Sequence, residues 1–517
     1  MRFLYNNLAV ICIATVVSLT AWLFGGTRDD VMIQVMPWVL LVLGEVALCF
    51  PQRHRGETDY DARDRAWRSM KRDPLVWTCL GLLALLAIPF VNNGLCPTCD
   101  AVEIAKEGAR SEPLVPFLPF CVNRIHHLGV FLWFAVALSC VIATKHCLCR
   151  RGKRMLLEMI VWNGFALAIL GFVQVVTKAP GPFWIALAED GKKAGDFFSA
   201  WGYPNMAGDY FTTLFGLSVG LWRDHYDRKH EEISQAHGGH SNIPRDIFWK
   251  QNLYLVPAVL FFFAAQNTLS RAAIILVASL AGIFFVHTFI CFAARMHRVA
   301  RVKAGAITIL VAGVICFCAV NFMPEKIERE VKTLGSNVML DRVTGKGQYH
   351  VRVATALWRD HLLFGCGGWG YRHLCLQKMT EEEKKGLQVV GGANVHNDHM
   401  QFLAEHGLVG FGALFAIFLM LLHPFGVHWS ASVRGLRFVT GKARPPRPVQ
   451  IFVVPAPVFC VLCTTTATII HAFGDCPLRS PAVLSLFFVS LAAMYGYLPK
   501  LAQSDGGQHH HHHHHHH

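Results

Sequence analysis

Charged residues are scarce in this chain: they make up 16% of its 517 residues, whereas hydrophobic residues make up 53%. The apolar residues do not alternate with polar ones in the short runs that a membrane β-barrel needs. They form blocks of roughly 17 to 25 residues, the length at which a helix crosses a hydrocarbon core of about 30 Å. Because backbone groups in lipid must pair within their own segment, each block is predicted to be helical. The composition therefore predicts an all-α, polytopic membrane protein.

About twelve transmembrane helices are predicted. They cover residues 3–24, 31–50, 75–91, 128–144, 155–177, 205–222, 252–269, 272–294, 304–323, 400–422, 449–473 and 480–498. The first block lacks a small-residue cleavage site before the second, so it is predicted to be retained. Residues 1–500 are predicted to form one transmembrane domain, and residues 501–517 a tail in which His509–His517 has the form of a purification tag.

Basic residues concentrate in every second connection. These basic connections lie at 51–72, 145–154, 223–250, 295–303 and 434–447. By the positive-inside rule they face the cytoplasm, which places both termini inside and the other connections outside. The net charge of +14 is thus interpreted as a topology signal, with contact to anionic membrane lipids as a secondary consequence. It is not taken as a sign of nucleic-acid binding.

The longest outer segment is the loop 324–399, between the ninth and tenth spans. Val351, Ala354 and Leu357 recur there at helical spacing, and 324–332 is a second, charged helix candidate. Short helices on the membrane surface are therefore predicted. The glycine-rich segment 365–370 could cradle a phosphate through its backbone N–H groups, but it lacks the lysine and hydroxyl of a P-loop, so a plain turn is the preferred interpretation.

No second close cysteine pair follows Cys96 and Cys99, which makes a zinc site there the weaker interpretation. Six cysteines fall on or near the outer side: Cys96, Cys99, Cys121, Cys366, Cys375 and Cys476. In an oxidising compartment some of these should pair. Cys96 or Cys99 with Cys121, and Cys366 with Cys375, are the predicted disulfides.

Three outward positions combine into a chemical hypothesis: Arg271, Arg352 and His396. An arginine near the membrane needs an anionic partner, and its planar guanidinium matches a phosphate. Two of them suggest a diphosphate. A neutral imidazole nearby can accept a proton from a hydroxyl that attacks an anomeric carbon. The combination predicts glycosyl transfer from a polyprenyl diphosphate sugar.

Each of these residues has a simpler interpretation. The Ser270–Arg271 pair can be a charged turn that separates two apolar helices, and Arg352 can be a solvated residue or a contact to lipid headgroups. His396 with Asp398 and His399 could hold a metal, although two histidines at this spacing are weak support for one. Only the conjunction of the three positions favours the chemical hypothesis.

The region around His396 resembles the O-antigen ligase and O-antigen polymerase family of C-type glycosyltransferases. The family motif is a histidine, then Asn, Ser or Gln, then nine residues, then Gly-x-x-Gly/Thr/Tyr. This chain has His396-Asn397, the nine residues Asp398–His406, and then Gly407-Leu408-Val409-Gly410. Three further segments are similar to the family: Tyr203–Gly208, Thr268–Arg271, and Arg352 with Asp360–Gly365. The similarity covers roughly residues 155–480.

The resemblance implies a periplasm-facing, metal-independent, inverting glycosyltransferase of the bacterial inner membrane, with no cofactor. The donor would be an undecaprenyl diphosphate-linked glycan, and His396 would be the catalytic base. Arg271 and Arg352 would hold the diphosphate. The resemblance implies four further substrate-binding positions: Asn205, Asn397, His471 and Asp475.

The acceptor stays open at this point. A lipid A-core sugar is the acceptor of a ligase, another lipid-linked glycan that of a polymerase, and a protein hydroxyl that of a protein O-oligosaccharyltransferase. All three offer the same nucleophile, so the catalytic residues do not separate them. A lipid-linked saccharide or anion transporter (a flippase) is the alternative from another class. Transporters tend to show internal repeats and broken helices; the sequence shows no such repeat, and its long outer loop favours an enzyme.

Overall fold

The computed structural model describes residues 2–27, 35–95, 111–185, 197–236, 252–293, 325–334, 348–387, 394–439 and 454–498. Its α-helices are α1 (Arg2–Asn6), α2 (Leu8–Trp22), α3 (Met36–Cys49), α4 (Asp59–Arg72), α5 (Pro74–Asn92), α6 (Arg124–His146), α7 (Arg150–Val176), α8 (Pro204–Ala236), α9 (Leu255–Asn267), α10 (Arg271–Ala293), α11 (Glu325–Leu334), α12 (Gln348–Asp360), α13 (Gly370–Leu374), α14 (Glu381–Leu387), α15 (Asp398–Val439), α16 (Ala456–Gly474) and α17 (Pro481–Ala493). The predicted all-α class is confirmed. A two-stranded antiparallel ladder, β1 (Asn93–Leu95) with β2 (Ser111–Pro113), is a small addition to it.

Six of the described helices are long and apolar enough to cross a membrane: α5, α6, α7, α10, the part of α15 from Asp398 to Ser430, and α16. Four shorter apolar helical segments accompany them: α2, α3, α9 and Pro481–Gly496. The chain is therefore a multi-pass membrane protein. The predicted span 304–323 lies outside the described residues, and the total of about twelve spans stays a prediction.

Two polar residues, Asn205 and Asp209, lie near the beginning of α8, within the predicted span 205–222. Their partners come from α16 and the residue that follows it. The Asn205 side chain donates to a carboxylate oxygen of Asp475. One turn further along α8, Asp209 is 3.0 Å from the His471 ring. The two pairs join α8 to α16 and are four residues apart on each side of the interface. Because polar groups in an apolar surrounding need partners, these two pairs fix how α8 and α16 pack together.

Helix α15 is broken at Gly407, the first glycine of the motif. Gly407 has φ 64° and ψ −171°, a conformation open essentially to glycine alone. A Cβ at this position would lie 2.3 Å from the backbone of Leu363. The residues on either side of the break pair with the segment 362–367 through four backbone hydrogen bonds: Cys366 N to Ala404 O, Gly367 N to Glu405 O, Leu408 N to Leu362 O, and Val409 N to Leu363 O. These four bonds give backbone groups on both sides of the break a partner within the protein, as backbone in an apolar surrounding requires.

The predicted helices in the long outer loop are present as α11 and α12. Helix α12 packs on the beginning of α15 through a second hydrophobic core that is separate from the one within the helix bundle. Its buried residues are Val353, Ala354, Leu357, Tyr371, Cys375, Met379, Val395 and Ala404. Because Val395 precedes His396 in the motif, this core anchors the motif to the loop.

The predicted Cys366–Cys375 disulfide is wrong, since the structure has both as free, buried cysteines. Their sulfurs lie against different backbone carbonyls, that of Ala404 for Cys366 and that of Arg372 for Cys375. Burial raises the pKa of the Cys375 thiol, so its reactive thiolate form is disfavoured. Cys121 and Cys476 are also free and buried, whereas Cys96 and Cys99 lie outside the described residues.

Candidate active site

His396 lies in the segment 394–397, which leads into α15. Its backbone φ is 53°, in the left-handed region that residues with a side chain seldom adopt. The next residue, Asn397, is the N-cap of the helix, since its side-chain oxygen accepts from the N–H of Met400 at 3.0 Å. The His396 side chain is 45% exposed. The motif therefore places an accessible, conformationally strained histidine at the start of α15.

A buried carboxylate lies beside His396. Nδ1 of His396 is 3.4 Å from Oδ1 of Asp475 and 3.5 Å from the hydroxyl oxygen of Tyr203. The Tyr203 hydroxyl donates to the same Asp475 oxygen at 2.7 Å, and Asn205 donates to the other oxygen. Burial alone would raise the pKa of Asp475, but its contacts with His396 and Tyr203 outweigh that effect and lower the pKa to about 2. Asp475 is thus a stably ionised partner for the imidazole.

A second histidine, His350 on α12, lies on another side of His396, with the ring centres 6.0 Å apart. Its Nδ1 is 2.8 Å from the hydroxyl of Tyr371, which is fully buried. Burial is the main cause, and the neighbouring His396 the second, of a lowered pKa of about 4 for His350. Burial also raises the pKa of Tyr371. The lowered pKa favours the neutral form of His350, whose Nδ1 lies within hydrogen-bond distance of the Tyr371 hydroxyl.

Arg271 is the first residue of α10, and its side chain is partly exposed. The preceding residue, Ser270, donates a hydrogen bond from its hydroxyl to the side-chain oxygen of Asn205 at 2.5 Å. Since Asn205 also contacts Asp475, the start of α10 is connected to the His396 site through two hydrogen bonds.

Arg352 forms an ion pair in the structure. Its Nη2 donates to both carboxylate oxygens of Glu383, at 2.7 and 2.6 Å. Arg352 is 52% exposed and Glu383 19% exposed. The helix that carries Arg352 also carries His350, so α12 connects the ion pair to the neighbourhood of His396.

His471 is buried below the site. Its side chain and that of Asp209 are each 1% exposed, and Thr468 donates to the second Asp209 oxygen at 2.8 Å. Among the sequence-predicted residues, the structure brings His396, Asn205 and Asp475 into direct contact. It places His471 one layer beneath them, Asn397 in the helix cap, and Arg271 and Arg352 on the adjoining segments; the proposed roles of all these residues stay predictions.

A cavity of about 520 Å³ opens at His396 and continues between the helices. Its polar lining includes His396, Tyr203, Asn394, Arg372 and Arg479, and its apolar lining includes Trp133, Phe134, Met206, Phe402, Leu484 and Phe487. Neither Arg271 nor Arg352 is among the described residues that line it. A cavity lined by both polar and apolar side chains suits an amphiphile with a polar head and a hydrocarbon tail.

Arg479 is held in place by two acids of α15: its Nη2 is 2.8 Å from Glu405, and its Nε is 3.7 Å from Asp398.

Two backbone N–H groups of the glycine-rich turn 365–370 already have partners within the protein and are not available to an anion. The N–H of Gly367 bonds to the Glu405 carbonyl, and that of Gly368 bonds to the His127 ring. The interpretation of this segment as a plain turn therefore agrees with its contacts.

One group of described residues has the composition of a metal site. His396, Asp475 and Cys476 each offer one ligand atom, and these atoms lie within 4.8 Å of one another. Imidazole, carboxylate and thiolate are a set that zinc accepts. Burial raises the pKa of the Cys476 thiol far above its ordinary value, which opposes the thiolate that a metal needs. The absence of a metal requirement stays a prediction.

Sequence reasoning missed several residues of the site, namely Tyr203, Asp209, His350, Tyr371, Glu383 and Arg479. Asp209 had a readable signal, since an acid inside an apolar helix is costly and usually has a specific role. Tyr203 lies in a segment that the resemblance identified, but nothing in its spacing indicated the contact with His396.

The fold and site together define a class: an all-helical, multi-pass membrane protein with a histidine–carboxylate site at the mouth of an apolar cavity. Residues 256–415 match the family model described as O-antigen ligase. The matched region runs from α9 into α15 and includes Arg271, Arg352 and His396, so this part of the chain is similar to that family. The resemblance inferred from the motif is thereby confirmed. The comparison with curated proteins finds no match to this chain.

Proposed function

We propose that the protein is a glycosyltransferase that moves a glycan from an undecaprenyl diphosphate-linked donor to an acceptor hydroxyl at the periplasmic face of the inner membrane. The observation that carries this proposal is the pairing of exposed His396 with buried, ionised Asp475 at the mouth of the apolar cavity. The family match and the apolar helices support a membrane glycosyltransferase.

His396 acts as the general base. Nδ1 faces Asp475, so an Nδ1–H that donates to this carboxylate leaves Nε2 with the free lone pair. Nε2 takes the proton of the acceptor hydroxyl, and the hydroxyl oxygen forms a bond to the anomeric carbon as that carbon's bond to the diphosphate oxygen breaks. Asp475 stabilises the imidazolium that results. A single displacement of this kind inverts the anomeric centre and needs no metal ion.

The leaving group is undecaprenyl diphosphate, and its negative charge must be stabilised. Arg271 and Arg352 are the proposed partners of the diphosphate, because a guanidinium can donate two hydrogen bonds to one phosphate. The apolar part of the cavity would accept the first isoprene units. Asn205 holds Asp475 and lies next to Ser270, so it connects the base to the segment that carries Arg271.

The acceptor is either a lipid A-core sugar, as for a ligase, or a second lipid-linked glycan, as for a polymerase. A protein hydroxyl is the further alternative within the family. The donor chemistry is the same for all three, so product analysis with competing acceptors decides among them.

A transporter of lipid-linked saccharides is the second candidate, and the break in α15 at Gly407 is the observation that favours it. Transporters bind substrate at interrupted helices. In this chain, however, four backbone hydrogen bonds join the residues around the break to the segment 362–367, which favours a structural use of the break.

The test is reconstitution in vesicles with a lipid-linked glycan donor and competing acceptors. We expect a new glycosidic product with the wild-type protein and none with His396→Ala, while the exposed control His54→Ala keeps full activity. Arg271→Lys and Arg352→Lys should raise the KM for donor more than that for acceptor, because an ammonium group lacks the planar fork. Translocation of the donor without a new glycosidic bond would favour the transporter, and equal losses for both substrates would remove the assigned role of the arginines.

A further inference from the structure

The Arg352–Glu383 ion pair joins two helices of the outer loop. Nη2 of Arg352 on α12 bridges both oxygens of Glu383 on α14. Glu383 has a second role, since its Oε2 accepts from the N–H of Thr380 at 2.7 Å, and its own N–H donates to the Thr380 hydroxyl at 3.3 Å. These reciprocal bonds are a capping box, which fixes the start of α14.

Two features make it easy for another anion to replace Glu383 as the partner of Arg352. Half of the Arg352 side chain is exposed, so water and solutes reach the guanidinium. Ion pairs at such exposed positions contribute little stability, because solvent screens the attraction and two long side chains lose freedom. The capping box needs Glu383 but not Arg352, so α14 keeps its N-terminus when the arginine turns away.

Glu383 also offers the guanidinium the same chemistry as a phosphate, which is a pair of anionic oxygens on one centre. A diphosphate bound to Arg352 while Glu383 stayed in contact would place anionic groups of the same sign around one cation. Their repulsion would weaken the binding of both. The acid is firmly ionised: its hydrogen bond with the Thr380 N–H, and in addition its pairing with Arg352, lower the pKa of Glu383.

We propose that Glu383 occupies, on Arg352, the place of the donor diphosphate, and that donor binding exchanges one anion for the other. The inference rests on the proposed function, since it requires that Arg352 bind the donor. Glu383 thereby sets the affinity for the donor: Arg352 is neutralised in the empty enzyme, and α14 is released from α12 when the donor arrives. When the product diphosphate dissociates, Glu383 pairs with Arg352 again, and this pairing favours the dissociation.

Glu383→Gln is the informative variant, because glutamine keeps the capping box but removes the charge. We expect inorganic pyrophosphate to bind the purified Glu383→Gln protein more tightly, and the KM for donor in vesicles to fall, each by roughly two- to five-fold, as suits an exposed ion pair. The matched control is Glu381→Gln in the same helix, where the acid pairs with Lys384 and is 81% exposed; it should leave both values unchanged.

Thr380→Ala removes the hydroxyl half of the cap and leaves the charge. If the tighter binding came from a loosened α14, Thr380→Ala would reproduce it; if it comes from the anion exchange, Thr380→Ala has no such effect. In an Arg352→Ala background, Glu383→Gln should no longer change pyrophosphate affinity.

The outcomes separate this inference from the proposed function. If Arg352→Ala weakens pyrophosphate binding while Glu383→Gln leaves it unchanged or weakens it, Glu383 orients the arginine or is indifferent, and the exchange is overturned while the donor site stands. If Arg352→Ala changes neither pyrophosphate affinity nor donor KM, the assigned donor role of Arg352 fails, and the exchange fails with it.

Discussion

The Asp209–His471 pair and the Arg352–Glu383 pair both join a carboxylate to a basic side chain, but they lie in opposite surroundings. In the first pair each side chain is 1% exposed, whereas in the second the exposed fractions are 52% and 19%. The buried pair connects α8 to α16 one helical turn from Asp475, and the exposed pair connects α12 to α14 in the loop that precedes α15. Solvent does not reach the contacts of the first pair, whereas those of the second pair are open to water and solutes.

This difference suits a division of roles. A general base must keep its orientation through every turnover, and the buried contacts of Asp475 with Tyr203 and Asn205 provide that constancy. A group that binds and releases a charged substrate gains from a weak resting partner. The comparison predicts that substitutions in the buried Asp209–His471 pair lower the stability of the protein strongly. Substitutions in the exposed Arg352–Glu383 pair should change mainly the affinity for substrate.

The largest expected effect on stability comes from breaking the buried pair. Asp209→Ala leaves His471 and Thr468 without their shared acceptor inside the helix bundle. Removing one partner of such a pair costs about 3–5 kcal/mol, so the detergent-solubilised variant should unfold at a clearly lower temperature than the wild type. Glu383→Gln, as the exposed counterpart, should cost less than about 1 kcal/mol. Equal unfolding temperatures for the two variants would contradict the comparison.

A smaller effect is expected at the break in α15. Gly407→Ala forces a side chain into a left-handed backbone and towards Leu363, which should lower the free energy of unfolding by about 1–3 kcal/mol. Gly412 is the matched control, since it lies in the same helix and a Cβ added there would have no atom within 4 Å. Gly412→Ala should be neutral or slightly stabilising. If both alanine variants unfold alike in thermal denaturation, the break does not depend on glycine.

The sequence predicts the membrane part of this molecule well, because long apolar blocks leave the backbone no alternative to helices. The motif likewise placed His396 directly before a long helix, and α15 begins at Asp398; the role of His396 as base stays a prediction. Contacts such as Asn205 with Asp475 join residues far apart in the chain, and spacing carries no information on them. The motif therefore indicated a histidine, but not the tyrosine and the second histidine around it.

Two further cases show which contacts local patterns do not reveal. The disulfide between Cys366 and Cys375 was predicted because both fall on the outer side, where an oxidising compartment favours pairing, yet their sulfurs lie against different carbonyls. The role of Arg352 as a diphosphate ligand stays a prediction, and no pattern in the sequence pointed to Glu383 as its partner in the structure. Which residue pairs with a charged surface side chain depends on how distant segments pack together. The spacing of residues in a single sequence does not reveal that packing.

The central claim is that His396 and Asp475 act as one unit in proton transfer. A double-mutant cycle on kcat/KM for glycan transfer, with His396→Ala, Asp475→Asn and the double variant, tests it most directly. We expect His396→Ala to lower the rate by about 10²–10⁴-fold, and Asp475→Asn to lower it in the wild type but to have no further effect once His396 is absent. Losses that multiply in the double variant, or undiminished transfer by His396→Ala, would contradict the account.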